Sequence, residues 1–155
     1  MNRMNLPDRF RDENWAMEQL AKSEYAFVAV NGADGFPYNV PLCLVRVENE
    51  FYFHTAQRGL AVDLFRRDGR ACVSCAPYAR RDPSHTTMRY RSAVAFGDIS
   101  EVTDPDQKAT ALLRFFEKYI PGDARSEALS RRAVTHAAVW RVTIRTITGK
   151  ESAHE

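Results

Sequence analysis

The sequence predicts a mainly β protein, an antiparallel barrel of about six strands with helices over its ends. Short runs of β-branched and aromatic residues recur along the chain, as at Tyr25 to Val30, and several are joined by connections short enough for hairpins. Consecutive hairpins exclude a doubly wound parallel sheet, whose strands alternate with helices. The 155 residues, 45% of them hydrophobic, predict one globular domain with an ordinary core.

The first half of the chain predicts a helix followed by a three-stranded meander. Apolar residues spaced among charges predict an amphipathic helix over about residues 8–23. Gly32 and Gly35 can adopt the positive φ of a tight connection between the first two strands. The three predicted strands are Tyr25 to Val30, Pro37 to Val47 and Phe51 to Ala56.

The second half alternates helices with longer strands. Asp104-Pro105 is typical of a helix start, with Asp104 as the cap, and this helix is predicted to end before Pro121. The polar segment from Ala79 to Met88 is predicted to be an exposed loop. Helices are also predicted over Gly59 to Arg67 and Asp123 to Arg132, and strands over Arg70 to Tyr78, Arg89 to Val102 and His136 to Ile147. The barrel therefore spans about residues 25–151.

Charge and hydropathy argue against two classes of partner. The 22 Lys and Arg against 20 Asp and Glu leave a formal charge of +2, without the basic surplus typical of nucleic-acid binding. The longest apolar runs are far shorter than the roughly 20 residues that cross a bilayer. Residues 1–12 lack the apolar core of a secretory signal. We therefore expect a cytoplasmic protein with no nucleic-acid or membrane partner.

The cysteines predict no metal site. Cys72 and Cys75 have C-x-x-C spacing, but they lie in a predicted strand, where residues three apart point to opposite faces. Neither a second cysteine pair nor a nearby histidine completes a set of four ligands. Three cysteines in a chain of this length fit a reducing compartment. The sequence also lacks a nucleophile elbow, which leaves no basis for a hydrolase.

The turn after the third strand carries the clearest functional signal. His54 lies at the end of that strand, where a polar side chain can face a cleft, although a structural role stays open. The predicted helix start at Gly59 presents free amides, which can converge with the Thr55 hydroxyl and Arg58 on an anion such as phosphate. Most aromatic residues at strand spacing are predicted core; Trp140 is the candidate to lie near the cleft.

Four short motifs follow one another in the chain. They are Phe36 to Leu42, Phe51 to Ala56 with Gly59, Tyr90 to Gly97, and Ile147 to Glu151. In this order they resemble the pyridoxamine 5′-phosphate oxidase-like flavin-binding split barrels, specifically the branch of 5-nitroimidazole resistance proteins. The resemblance spans about residues 26–151.

This resemblance implies a six-stranded antiparallel split β-barrel that forms a homodimer, with FMN in two clefts at the subunit interface. The residues assigned to the flavin ring are Val40, Pro41, Leu42 and Cys43. Those assigned to the phosphate end are His54, Thr55, Arg58 and Gly59, with further polar contacts from Arg91 and Ser92.

One position departs from the family pattern. Relatives commonly carry lysine or arginine two places after the glycine that corresponds to Gly59, and this chain has Ala61 there. Losing such a charged hydrogen bond costs roughly 1.5 to 3 kcal/mol. Arg58 is the candidate to compensate. Weak FMN binding, another flavin or deazaflavin, or haem stay open as alternatives.

Three hypotheses for function follow. The first is an FMN-dependent oxidoreductase that reduces a small organic acceptor, such as a nitroaromatic, with electrons from a reduced nicotinamide or similar donor. In it, His54 acts as a proton donor or contacts the substrate. The second is a non-catalytic module that binds flavin, deazaflavin or haem for storage or sensing, and the third is a barrel without cofactor.

Overall fold

Among the described residues, an antiparallel sheet of eight strands curls around the core, three α-helices pack against it, and a fourth packs on the third helix. The structure, a computed structural model, describes residues 7–152. Residues 1–6, part of the segment predicted to carry no secretory signal, and residues 153–155 lie outside the described residues. The sheet order is β3-β2-β6-β7-β8-β5-β4, with β1 paired to β8. The prediction of a mainly β antiparallel fold with flanking helices is confirmed.

The elements have the following bounds. The strands are β1 (Phe10–Arg11), β2 (Tyr25–Asn31), β3 (Pro37–Cys43), β4 (Val45–Val47), β5 (Glu50–Thr55), β6 (Arg70–Asp82), β7 (Thr87–Glu101) and β8 (Ala138–Ser152). The helices are α1 (Glu13–Lys22), α2 (Leu60–Arg67), α3 (Pro105–Tyr119) and α4 (Ser126–Ala133), and Pro7–Arg9 forms a 3₁₀ turn.

The strand count exceeds the predicted six because one predicted strand is interrupted. Pro37 to Val47 divides at Leu44 into β3 and β4, where side chains of α3 replace ladder partners. Lys118 Nζ donates to the Leu44 carbonyl at 2.6 Å, and the Leu44 amide donates to the Tyr119 hydroxyl at 3.2 Å. In addition, Phe10–Arg11 pairs with β8, so the first helix begins at Glu13 rather than near residue 8.

The prediction of an exposed loop from Ala79 to Met88 is wrong. Strands β6 and β7 pair as far as Asp82 and Thr87, which leaves only residues 83–86 as the turn. This hairpin arm extends beyond the core and is mostly solvent-exposed, so its sequence lacks the alternation that identifies a half-buried strand. Asp82 closes the tip: its carboxylate accepts hydrogen bonds from Arg89 Nε at 2.8 Å and from the Ser84 amide at 3.1 Å.

Helix α1 packs directly on β8 at a glycine. Asp12 caps the helix by accepting a hydrogen bond from the Trp15 amide at 2.8 Å. A Cβ atom on Gly149 would lie 2.8 Å from the Trp15 ring, so only glycine permits this approach. Ala16 and Leu20 of the same helix are fully buried. The helix therefore covers one side of the sheet.

The core lies between the curled sheet and the helices. The largest of its fully buried side chains are Trp140, Phe51, Phe53, Leu20 and Leu44. Helix α3 starts as predicted: Asp104 accepts from the Gln107 amide at 2.8 Å, and Pro105 occupies the first turn. Across residues 7–152, each helix is too short or too polar to cross a lipid bilayer.

Candidate functional site

A cavity of about 660 Å³ opens between the ends of β3 and β5 and the helices α3 and α4. Its wall is mainly apolar, and the part formed by residues 7–152 contains no aspartate, glutamate, lysine or arginine. The lining residues are Cys43, His54, Thr55, Ala56, Leu112, Phe115, Phe116, Tyr119, Ile120, Ala133, His136 and Ala137. Such a wall accommodates an uncharged ring system and disfavours an isolated ion.

His54 faces this cavity because strand side chains alternate. Its neighbour Phe53 is fully buried in the core, so His54 points to the opposite face of β5. The imidazole contacts the edge of the Phe115 ring, with centroids 4.6 Å apart. These apolar surroundings remove water from the ring and lower the pKa of His54 below its ordinary value of 6.5. The side chain is therefore uncharged at neutral pH.

Thr55 connects the cavity to the core. Its hydroxyl accepts a hydrogen bond from Trp140 Nε1 at 2.9 Å and donates to the Ala56 carbonyl at 2.8 Å. The Trp140 side chain is only 1% exposed and stacks on Phe53 at 6.4 Å. The structure thus places the indole inside the core, where it reaches the site through the Thr55 hydroxyl rather than by lining the cavity.

The turn between β5 and α2 contains hydrogen-bond donors that have no acceptor within residues 7–152. The Asp63 amide is the first to bond within the helix, to the Gly59 carbonyl at 3.1 Å, so the amides of residues 60–62 precede the helical hydrogen bonds. Arg58 is exposed, and its side chain makes no hydrogen bond or ion pair within residues 7–152. Gly59 has φ 134°, a conformation that L side chains rarely adopt. This turn can hold an anion.

Strand β3 lies at an edge of the sheet. Within residues 7–152 it pairs with β2 but not with a second strand, so half of its main-chain groups face away from the ladder. The residues predicted to contact a flavin ring, Val40 to Cys43, all lie in this strand. The Cys43 side chain also lines the cavity beside His54. Main-chain hydrogen bonds to a ligand are therefore available next to the cavity.

Arg91 and Ser92 lie far from this turn within one chain. Thr55 pairs with Ala138 of β8, whereas Arg91 pairs with Glu151 of the same strand, thirteen residues further on. At about 3.3 Å per residue, this separation is roughly 40 Å along the strand. Arg91 Nε donates to Glu151 at 2.7 Å. A single chain therefore does not bring all the predicted site residues together.

The sheet face next to the cavity is apolar and uncovered. The side chains of Tyr25, Phe27 and Phe96 are 53%, 40% and 56% exposed. Phe96 lies opposite Cys72 across β6 and β7, and Phe27 belongs to the neighbouring row on this face. We call Tyr25, Phe27, Cys72, Val94 and Phe96 the exposed sheet face. Tyr25 lies opposite Cys43, so the face continues to the edge of the cavity.

Tyr119 and His136 line the cavity, but no sequence pattern predicts either of them as a site residue. The only available signal is the apolar stripe of α3, which continues past Phe116 to Tyr119 and Ile120. The Tyr119 hydroxyl donates to the Glu24 carbonyl and accepts from the Leu44 amide. Burial raises the pKa of Tyr119 to about 12, so it stays protonated and anchors the cavity wall.

Comparison with known proteins identifies relatives of the whole domain. A family model described as pyridoxamine 5′-phosphate oxidase matches residues 12–151. No curated protein matches the chain. The fold is shared with several solved structures.

A protein from Bacteroides thetaiotaomicron, named for 5-nitroimidazole antibiotic resistance, is 23% identical with a TM-score of 0.79; the match covers 91% of this chain and 85% of that one. An FAD- and haem-binding protein from Mycobacterium smegmatis is 23% identical with a TM-score of 0.76, covering 92% and 72%. A flavocytochrome from Azotobacter vinelandii is 18% identical with a TM-score of 0.79, covering 97% and 72%.

Proposed function

The chain belongs to the pyridoxamine 5′-phosphate oxidase family, and on that premise we propose that it is a homodimeric, FMN-dependent oxidoreductase that reduces a small uncharged organic acceptor. One observation carries the proposal: an uncharged cavity adjoins a cationic turn with free amides. FMN combines a flat, largely apolar ring with an anionic phosphate. The two parts of the site match the two parts of this cofactor.

The turn from Thr55 to Gly59 fits the phosphate. Free amides at the start of α2 and the positive end of its dipole favour an anion there. Arg58 adds a guanidinium that no other described residue engages. We infer that Arg58 takes the role of the basic residue that relatives carry at the position of Ala61.

The edge of β3 and the cavity fit the ring. Main-chain groups of Val40 to Cys43 that face away from β2 can bond the polar rim of a flavin. When bound, FMN supplies the transfer of two electrons between donor and acceptor. His54 is uncharged at neutral pH, so its imidazole can donate a hydrogen bond to an acceptor in the cavity, and it donates a proton only from its minor protonated form.

A second copy of the chain completes the site in this proposal. The exposed sheet face carries large apolar side chains that a partner copy would bury. Ser92 lies on the same face of β7 as Phe96, while its distance from Thr55 within one chain is large. Dimerisation through this face would bring Arg91 and Ser92 of one copy toward the cofactor of the other.

The lining of the cavity supports an uncharged acceptor. A phosphorylated substrate needs a cationic partner, and the lining residues include none. A nitroaromatic compound meets the requirement, and a relative of the same fold is named for 5-nitroimidazole resistance.

The free thiols of Cys43, Cys72 and Cys75 support our placement of the protein in the reducing cytoplasm.

Anaerobic spectroscopy tests this function. We expect the protein to bind added FMN with a change in its visible spectrum, to bleach on addition of a reduced nicotinamide, and to recover its colour when a nitroaromatic is added. Absence of binding at excess FMN rejects the flavoprotein proposal. Binding without bleaching by any nicotinamide donor rejects the oxidoreductase and leaves a passive flavin-binding or sensing module.

A haem-binding module is the second candidate. Two histidines, His54 and His136, line the same cavity, and two structures of the same fold are named for haem or cytochrome. Titration with haem tests it, because ligation by histidine gives a sharp Soret band. That band should disappear in His54→Ala or His136→Ala if haem is the ligand.

A further inference from the structure

We propose that Trp140 is a positioning residue that prepares the Thr55 hydroxyl for a phosphate group. The inference rests on the proposed function, since it takes the turn from Thr55 to Gly59 as the phosphate site. Trp140 would act through a hydrogen bond from inside the core, without touching the ligand. The surface pair of Arg66 and Glu101 would hold the indole in place.

The indole N–H of Trp140 needs one hydrogen-bond acceptor, and the Thr55 hydroxyl provides it. Indole N–H is a donor only, and leaving it unpaired in the core carries a desolvation penalty. Trp140 Nε1 donates to Thr55 Oγ1 at 2.9 Å, and the indole makes no other hydrogen bond within residues 7–152. Phe53 stacks on the indole at 6.4 Å and Phe65 meets it edge-on at 5.2 Å. The direction of the N–H is thus fixed by packing.

This hydrogen bond determines what the Thr55 hydroxyl can do. A hydroxyl has one proton and two lone pairs. One lone pair accepts from Trp140, and the proton is donated to the Ala56 carbonyl at 2.8 Å. Because Ala56 is exposed, water can replace this donation when the proton turns toward a phosphate oxygen. Donation by the indole also polarises the hydroxyl and strengthens it as a donor.

Helix α2, whose first turn forms part of the proposed phosphate site, also contacts the Trp140 indole. Arg66 of α2 lies over the Trp140 ring, with its guanidinium carbon 5.9 Å from the centroid. Two hydrogen bonds of 2.9 Å to Glu101 hold the guanidinium in this position. The indole therefore contacts the last turn of α2 through Arg66 and the residue before the phosphate turn through Thr55.

Titrations with FMN and riboflavin test the inference, because riboflavin lacks the phosphate. We expect Trp140→Phe to weaken FMN binding about three- to tenfold, the loss of one hydrogen bond, and to leave riboflavin binding unchanged. Thr55→Ala should weaken FMN binding at least as much. Since Trp140 acts through Thr55, adding Trp140→Phe to Thr55→Ala should cause no further loss.

Phe51→Leu is the matched control, since Phe51 is an equally buried ring of the same core. It should lower stability without changing the ratio of FMN to riboflavin affinity. A loss of FMN affinity from Trp140→Phe that persists in the Thr55→Ala background overturns the inference. Equal losses for FMN and riboflavin overturn it as well.

A measurement on the unmodified protein does not depend on the folding of variants. The chain has two tryptophans, so ¹⁵N NMR shows two indole N–H signals, and Trp15 on α1 serves as the reference. We expect FMN to shift the Trp140 signal, and riboflavin to leave it nearly in place. A Trp140 signal that responds identically to both flavins overturns the inference. Failure of both flavins to bind overturns the proposed function itself.

Discussion

Arg58 is the cationic side chain in the turn between β5 and α2, and its guanidinium has no partner in the described part of the chain. If it neutralises the phosphate, Arg58→Gln should weaken FMN binding by about tenfold and leave riboflavin binding unchanged. Flavin fluorescence titration measures both. Arg131→Gln, an exposed arginine on α4, is the control and should change neither affinity.

A second variant tests whether Arg58 replaces the missing basic residue. Ala61→Lys, added to Arg58→Gln, should restore most of the lost FMN affinity, because it returns a cation to the start of α2. Unchanged FMN affinity in Arg58→Gln alone would show that the phosphate is held elsewhere. A loss in Arg58→Gln that Ala61→Lys does not restore would show that a cation at position 61 does not replace Arg58.

His54 gives a pH-dependent prediction at the same scale. Its imidazole packs on Phe115, and burial lowers its pKa below 6.5. Protonation therefore favours the unfolded chain, so the free energy of unfolding should fall as the pH drops through 6.5 toward the folded pKa. NMR titration of the imidazole and denaturation of His54→Gln check this. Phe115→Ala, which exposes the ring to water, should return the pKa toward 6.5, and an unchanged pKa would contradict the assigned cause.

Sequence reasoning at the residue scale finds the parts of the site that are close in the chain. His54, Thr55, Arg58 and Gly59 are adjacent in one turn, so any fold that forms the turn brings them together. Their roles in cofactor binding stay predictions. Tyr119, by contrast, reaches the cavity only because α3 packs across the end of β3, a tertiary contact that no local pattern encodes.

At the scale of elements, hydrogen bonds to one carboxylate, that of Asp82, hold the tip of the β6–β7 hairpin. Hydrogen bonds from Arg89 and from His85 lower the pKa of Asp82 from 3.8 to about 2. A lowered pKa in the folded state gives stability above pH 3.8 that is lost as the pH falls toward 2. The protection factors of the hairpin amides, which correct for the pH dependence of intrinsic exchange, should therefore fall over this range.

Asp82→Asn is the variant that isolates this effect. It keeps the shape of the side chain and removes the charge, so the protection factors at the tip should be lower at pH 5 and should lose most of their fall between about pH 4 and 2. The amides of α1 provide an internal control, because no hydrogen bond joins that helix to Asp82 among residues 7–152. Identical pH dependence in both proteins would contradict the prediction.

The elements that the sequence predicts correctly are those with a local cause. Asp104 and Pro105 start α3 because capping and a fixed φ act within one turn. The arm formed by β6 and β7 was beyond prediction, since strands with two solvated faces lack a hydrophobic period. The break at Leu44 depends on Lys118, whose partners lie more than seventy residues away.

At the scale of the whole molecule, the exposed sheet face predicts self-association. Phe96 is 56% exposed, so replacing it removes little packing from one chain. Phe96→Glu should therefore keep the fold and its thermal stability at high dilution, yet shift the protein from dimer to monomer. Analytical ultracentrifugation over a range of concentrations measures this. Ala128→Glu, which adds the same charge on an exposed part of α4, should stay dimeric.

Phe96→Glu also tests how much of the FMN affinity depends on dimerisation and how much comes from the phosphate turn of one chain. A monomer keeps the turn from Thr55 to Gly59, which belongs to one chain, but loses any contact supplied by Ser92 of a second copy. FMN binding by Phe96→Glu should therefore become weaker and independent of protein concentration, whereas binding by the unmodified protein should strengthen as dimers form. Full FMN affinity in a proven monomer would mean that one chain holds the entire cofactor, and the role proposed for the exposed sheet face would be wrong.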